Sequence, residues 1–303
     1  MKEDKANSTA FTVLQGLLYT AQSEEHGYLV PENMVAVGKQ ILGGSIEGQK
    51  RLKQLHSPLV SMSVKLKEYL MLPGITLHYV LRKRYIEDQT REAIYGGVTQ
   101  VVNICAKFDP LAWILHQQYP EVNFIEIDHP DTQKIKTEAL LKGAGPEGAD
   151  AKLADNMHFL GIDFAEQNLE SGLSGCADFD PARPTLYICE GVMMYLEAAE
   201  LSSIFDTINT LTGPGSLLLF TCIEPEGSEN SNVRGLLFRY LQLIGEPVVW
   251  ELESEAVPTF LHNFYCETLA VAATDELVKR YIKKDTNYTF HHGEYVVLGR
   301  FSD

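Results

Sequence analysis

Apolar residues recur at three- and four-residue spacing through Phe11, Leu14, Leu17 and Leu18, and again through Met34, Val37 and Ile41. That period predicts helices, and no strand-like alternation occurs over residues 1–95. Gly43, Gly44 and Gly48 punctuate this stretch, and Pro58, Pro73 and Gly74 mark further breaks before a helix expected over residues 81–94. From Val98 the texture changes to short apolar runs at 101–105, 122–127, 158–162, 185–189 and 216–222. Amphipathic stretches at 111–118, 132–141, 165–172 and 198–211 separate them. Runs that alternate with helices predict an α/β fold, doubly wound, with helices on both faces of a mostly parallel sheet. Further runs at 268–272 and 295–301 bring the expected sheet to seven strands. The alternation breaks after Cys222 for about forty residues, with a helix expected at 233–243. The organisation expected is a helical cap over 1–95 and a core over 96–303, with a lid insertion at about 224–264.

Composition narrows the function. The chain has 303 residues, 45% of them hydrophobic, enough for a substantial core. Its 25 Lys and Arg against 41 Asp and Glu give a formal charge of −16, which repels nucleic acid and anionic membranes. No apolar run approaches the roughly 20 residues of a membrane span, and the N-terminal stretch lacks the pattern of a signal peptide. A cytoplasmic protein that does not bind nucleic acid is the expectation. Cys105, Cys176, Cys189, Cys222 and Cys266 are scattered and odd in number, so free thiols are expected.

In an open parallel sheet, ligands bind beyond the carboxyl ends of the strands. The residues there are Cys105-Ala106-Lys107-Phe108-Asp109, then Asp128-His129-Pro130, then Asp163, then Glu190-Gly191. Four acidic side chains are thereby expected at one edge of one sheet. Lys107 and Asp128 are 21 residues apart, near the roughly 20 that separate a cofactor turn from a ribose-binding carboxylate in dinucleotide folds. The same Asp128 would also serve as the start of the next helix.

These residues carry a resemblance. Val101-Val102-Asn103-Ile104 with Asp109, Phe124-Ile125-Glu126-Ile127-Asp128-His129-Pro130 with Lys136, Gly161-Ile162-Asp163-Phe164, and Pro184 through Leu196 with its Glu190-Gly191-Val192 centre are similar to motifs of the leucine carboxyl methyltransferases and their bacterial polyketide O-methyltransferase relatives. Leu81-Arg82-Lys83-Arg84 resembles that family's A-R-T-R helix. The resemblance implies a Rossmann-like S-adenosylmethionine-dependent methyltransferase that forms a methyl ester on a small-molecule carboxylate. It further implies Arg82 at the methionine carboxylate, Asp128 at the ribose, Asp163 at the adenine amino group and Glu190 near the amino-acid end. Tyr195 is the candidate beside the reacting oxygen, with core packing as its other reading.

The chain departs from the family at its first loop. G-x-G becomes Cys105-Ala106-Lys107, and D-T-R becomes Asp109-Pro110-Leu111. Lys107 can pair with Asp109 or Asp128, grip the cofactor carboxylate, or fill the cofactor's space. Two further readings stand beside methyl transfer: a repurposed fold that catalyses another reaction, and a non-catalytic binding subunit. The Asp128-His129-Asp131 and His291-His292 groups lack the spacing of known metal motifs, and the paired histidines are expected to face solvent.

Overall fold

The computed structural model describes residues 3–143, 153–283 and 288–302. It contains a seven-stranded sheet of order β3-β2-β1-β4-β5-β7-β6, the architecture that the periodicity predicts. Its strands are β1 (Gln100–Ile104), β2 (Asn123–Asp128), β3 (Met157–Gly161), β4 (Thr185–Cys189), β5 (Leu217–Ile223), β6 (Cys266–Ala272) and β7 (Glu294–Phe301). The chain divides into two compact units, Met1–Ser63 with Gln100–Phe179 and Val64–Thr99 with Asp180–Asp303.

In the first unit β1, β2 and β3 are parallel, with Val102 opposite Ile125 and Ile125 opposite His158. β1 and β2 are buried at every position, which explains their unbroken apolar runs: a strand covered on both faces has no reason to alternate. Helix Glu32–Gly43 lies against helix Pro130–Gly143, and Gln40 Nε2 donates to Leu140 O at 2.6 Å. Gly44 permits this approach, because a Cβ there would sit 2.3 Å from the Ala139 Cβ. Ser45 caps helix Ile46–Gln54 by accepting from Gly48 N at 3.0 Å.

In the second unit β4 pairs parallel with β5, while β7 runs antiparallel to both β5 and β6. Helix Ile75–Tyr95 is longer than the expected 81–94 and begins at Gly74, whose left-handed φ of 74° starts it directly after the Pro73 break. A Glu197/Glu200 capping box opens helix Ala198–Thr210. The end of the expected lid insertion is anchored by aromatic packing: Phe264 stacks on Phe205 at 4.6 Å, and Phe260 meets Phe205 edge-on at 5.3 Å.

Two expected boundaries are corrected. The helix read at 165–172 is Leu169–Ser174, because Asp163 holds the preceding residues in a turn: its Oδ1 accepts from Ala165 N at 2.9 Å and its carbonyl from Gln167 N at 2.8 Å. Asn168 then caps the helix by accepting from Ser171 N. The insertion helix is Leu236–Ile244, three residues later than expected at its start.

Candidate active site

In the first unit the loop after β1 keeps the backbone of a glycine turn without the glycines. Cys105 has φ 54° and Lys107 has φ 48°, both in the left-handed region. An L side chain there costs roughly 1–2 kcal/mol, which glycine avoids. The loop is held in this shape by Asp128, whose Oδ2 accepts from Lys107 N at 2.7 Å and whose Oδ1 accepts from His129 N at 2.8 Å. The 21-residue interval is thus a direct contact between the turn and the carboxylate that ends β2. We expect Cys105→Gly and Lys107→Gly each to raise stability by about 1 kcal/mol in urea denaturation. A loss of stability would show that side-chain contacts of the two residues outweigh the backbone strain.

Below the loop lies a buried ion pair. Lys136 Nζ, fully buried, donates to Glu126 Oε2 and to the backbone carbonyl of Asp109, both at 2.5 Å. Burial pushes the Glu126 carboxyl up to about 7 against the pull of Lys136. Asp109 turns inward: its Oδ1 accepts from Leu111 N at 3.1 Å at the start of helix Leu111–Leu115, and its Oδ2 from Asn103 Nδ2 at 3.4 Å. Asp109 is therefore a structural anchor of the loop, and Lys136 ties β2, its following helix and the loop together. Cys105 is half-buried, and burial with the nearby Asp128 charge pushes its thiol up to about 12, so it is no thiolate at neutral pH. Asp163 stays partly exposed, with Oδ2 3.7 Å from His129 Nε2.

The second unit brings Arg82 and Glu190 together. Arg82, on helix Ile75–Tyr95, is 5% exposed. Its Nε and Nη2 both reach Glu190 Oε1 at 2.8 Å, while its Nη1 reaches the two Glu294 oxygens at 2.5 and 2.6 Å. Lys83 Nζ donates to Glu190 Oε2 at 2.6 Å, and His78 Nε2 donates to Glu294 Oε2 at 3.0 Å. Two cations and two carboxylates balance, as burial of charge demands. Burial alone would raise the Glu294 carboxyl, but Arg82 and His78 overcome it and hold the group well below the carboxylate range. Gly191 follows Glu190 at φ 64°, its N–H donating to Thr221 Oγ1 on β5 at 2.9 Å. Tyr195 ends the short Met193–Tyr195 turn, half-buried, its hydroxyl pushed up by burial and then by Glu246.

Lys83, Glu294 and His78 have no local sequence signal of a shared site, since Glu294 lies 212 residues from Arg82. The expectation that His291 and His292 face solvent is corrected for His291, which is 3% exposed with its ring 4.9 Å from that of His78. Gly74 makes room for this segment, since a Cβ there would sit 2.7 Å from His291 N. Burial, followed by the neighbouring His78, lowers His291 to about 3, so it is neutral. Among the described residues no group of three or more His, Cys, Asp or Glu side chains is placed to hold a metal, and all five cysteines are free.

The profile of the leucine carboxyl methyltransferase family matches residues 45–209, more than half of the chain. A protein of a Parafrankia species, named as an S-adenosyl-L-methionine-dependent methyltransferase, is 33% identical over 144 residues, 46% of this chain and 43% of that relative. A Mycolicibacterium smegmatis protein named in the same way is 35% identical over 136 residues, 45% of this chain and 41% of the relative. The matched stretch thus spans less than half the length of these curated relatives. A crystal structure from Thermobifida fusca, described as that of a methyltransferase, superposes with a TM-score of 0.59 at 15% identity, covering 88% of this chain and 94% of that one, and establishes the fold.

Proposed function

The chain belongs to the leucine carboxyl methyltransferase family, and from that premise we propose that it transfers a methyl group from S-adenosylmethionine to an oxygen of a small molecule, a carboxylate that becomes a methyl ester. The observation that carries this reading is the Lys107–Asp128 contact: the glycine-type turn is kept at Cys105 and Lys107 although neither is glycine. A backbone retained at a cost in strain is consistent with a retained ligand.

The residues fit the cofactor chemically. An ionised carboxylate offers roughly four acceptor positions; two on Asp128 are taken by backbone N–H groups, and the others suit a ribose diol. In this reading Asp163 accepts from the adenine amino group, and Arg82, Lys83 and Glu190 serve the amino-acid end. Arg82 acts chiefly by fixing Glu190, since its guanidinium is committed to two carboxylates. Cys105 and Lys107 shape the turn, Asp109 anchors it, and Tyr195 lies toward the reacting oxygen. The cofactor supplies an activated methyl on a sulfonium; the chain's part is to align the acceptor and exclude water. A carboxylate acceptor needs no general base, and Tyr195, its hydroxyl pushed up by burial, stays protonated to donate a hydrogen bond.

The test is methyl transfer from radiolabelled S-adenosylmethionine to a panel of carboxylic acids. The expected product releases methanol in mild alkali, as esters do. Alkali-stable label would move the acceptor from carboxylate to hydroxyl or amine. Binding without transfer to any acceptor would favour the repurposed fold, for which Lys107 is the motive.

A further inference from the structure

The second unit also holds a cleft of about 570 Å³, lined by residues to which the proposed methyl transfer gives no role. Its base is formed where β5 and β7 end side by side. Glu224 follows β5, and its N–H donates to Gly293 O, just before β7, at 2.7 Å. The wall is constructed rather than incidental. Asn232 accepts from His292 N at 2.9 Å and donates to Phe290 O at 2.8 Å. Gly293, at φ 126°, lets the Ser231 loop close in, since a Cβ there would lie 2.6 Å from Ser231 Oγ. Glu229, Glu255 and Asp275 stand exposed around the opening. Helix Thr274–Tyr281 starts at the same wall, but Asp275 and Glu276 in its first turn already answer its positive end.

Glu224 gives the cleft its meaning. It is 4% exposed, yet its carboxylate has only neutral partners among the described residues: Ser228 Oγ at 3.2 Å and Ser254 N at 3.2 Å. Glu294, which lines the same cleft, is neutralised by Arg82; among the described residues no cation pairs with Glu224. Buried carboxylates are ordinarily paired with a cation or a metal, and no metal cage is present among the described residues. A ligand that brings its own positive charge completes the arrangement. An ammonium has three donors for the acceptor positions left on Glu224, and the acidic rim draws cations toward the opening.

We propose that this cleft is a binding site for a primary ammonium group on a small aliphatic amine, seated on Glu224. Putrescine titrated calorimetrically into the full chain is expected to fill one saturable site. Glu224→Gln, nearly isosteric, should weaken it about tenfold or more through loss of a charge-assisted bond, and Glu255→Gln at the exposed rim only about twofold. Butanediol, of the same length and uncharged, should not bind, and magnesium at matched ionic strength should not compete. The proposal is overturned if Glu224→Gln binds putrescine like the wild type, if butanediol binds equally well, or if magnesium displaces the amine. Should Glu224→Gln fail to show a cooperative unfolding transition, the Glu229→Gln/Glu255→Gln double variant decides: unchanged putrescine affinity there also overturns it.

Discussion

Replacing Arg82 by methionine is expected to destabilise the protein by about 3–5 kcal/mol, the cost of stranding buried carboxylates without their partner. Among the described residues Glu190 keeps Lys83, but Glu294 keeps only His78. The pH dependence identifies the cause. In the wild type the Glu294 carboxyl is held below its unfolded value, so its contribution is complete above about pH 4 and is lost as the pH falls further. Without Arg82, burial pushes the same group above its unfolded value. The deficit of the variant should then be largest at neutral pH and shrink on acidification toward about pH 4, where protonation relieves the stranded charge. Urea denaturation across that range measures both curves. Adding Glu294→Gln to the variant should recover part of the loss, because the removed charge no longer needs a partner. A deficit that is independent of pH, with no recovery in the double variant, would mean that Arg82 matters only for packing.

What the sequence displays and what it conceals follow the range of the interactions. β4 occurs where its unbroken Thr185-to-Cys189 run places it, because a strand buried on both faces advertises itself through every residue. The turn at Lys107 is legible from Asp128 because one crossover helix and one strand, Leu111–Leu115 and β2, separate them, as in doubly wound folds generally. The short turn after Asp163 was concealed: its aspartate looks like a cap, and only the hydrogen bonds to Ala165 and Gln167 reveal that the helix waits for Asn168. The Arg82 network is a larger omission. Glu294 opens an ordinary apolar strand, and nothing in its neighbours marks it as the partner of a helix more than 200 residues earlier. Charge balance alone gave a hint, since Arg82, Lys83 and Arg84 are consecutive and a helix that turns two of them inward needs carboxylates from elsewhere. The burial of His291 is concealed for a related reason: polarity predicts exposure only when no buried partner is available, and His78 lies on a helix distant in sequence.

Asp128→Ala is expected to weaken S-adenosylmethionine binding about 30- to 1,000-fold, corresponding to roughly 2–4 kcal/mol for two hydrogen bonds to an ionised acceptor. The substitution also frees Lys107 N and His129 N, so part of the loss arises from the turn itself. Asp128→Asn separates the two effects: its amide oxygen can still accept from one backbone N–H, but it offers no charge to the diol, so its turn should stay closer to the wild type while most of the affinity is lost. Lys107→Gly then assigns the lysine. It should weaken binding if the side chain grips the cofactor carboxylate, leave it unchanged if the side chain points away, and strengthen or restore it if the side chain fills cofactor space. Calorimetric titration of the wild type and these variants gives every value. Wild-type affinity retained in Asp128→Ala would remove the ribose assignment, and with it the strongest reason to read the strained turn as a cofactor loop. An absence of binding in the wild type that Lys107→Gly repairs would instead identify a methyltransferase fold closed to its ancestral ligand by one side chain.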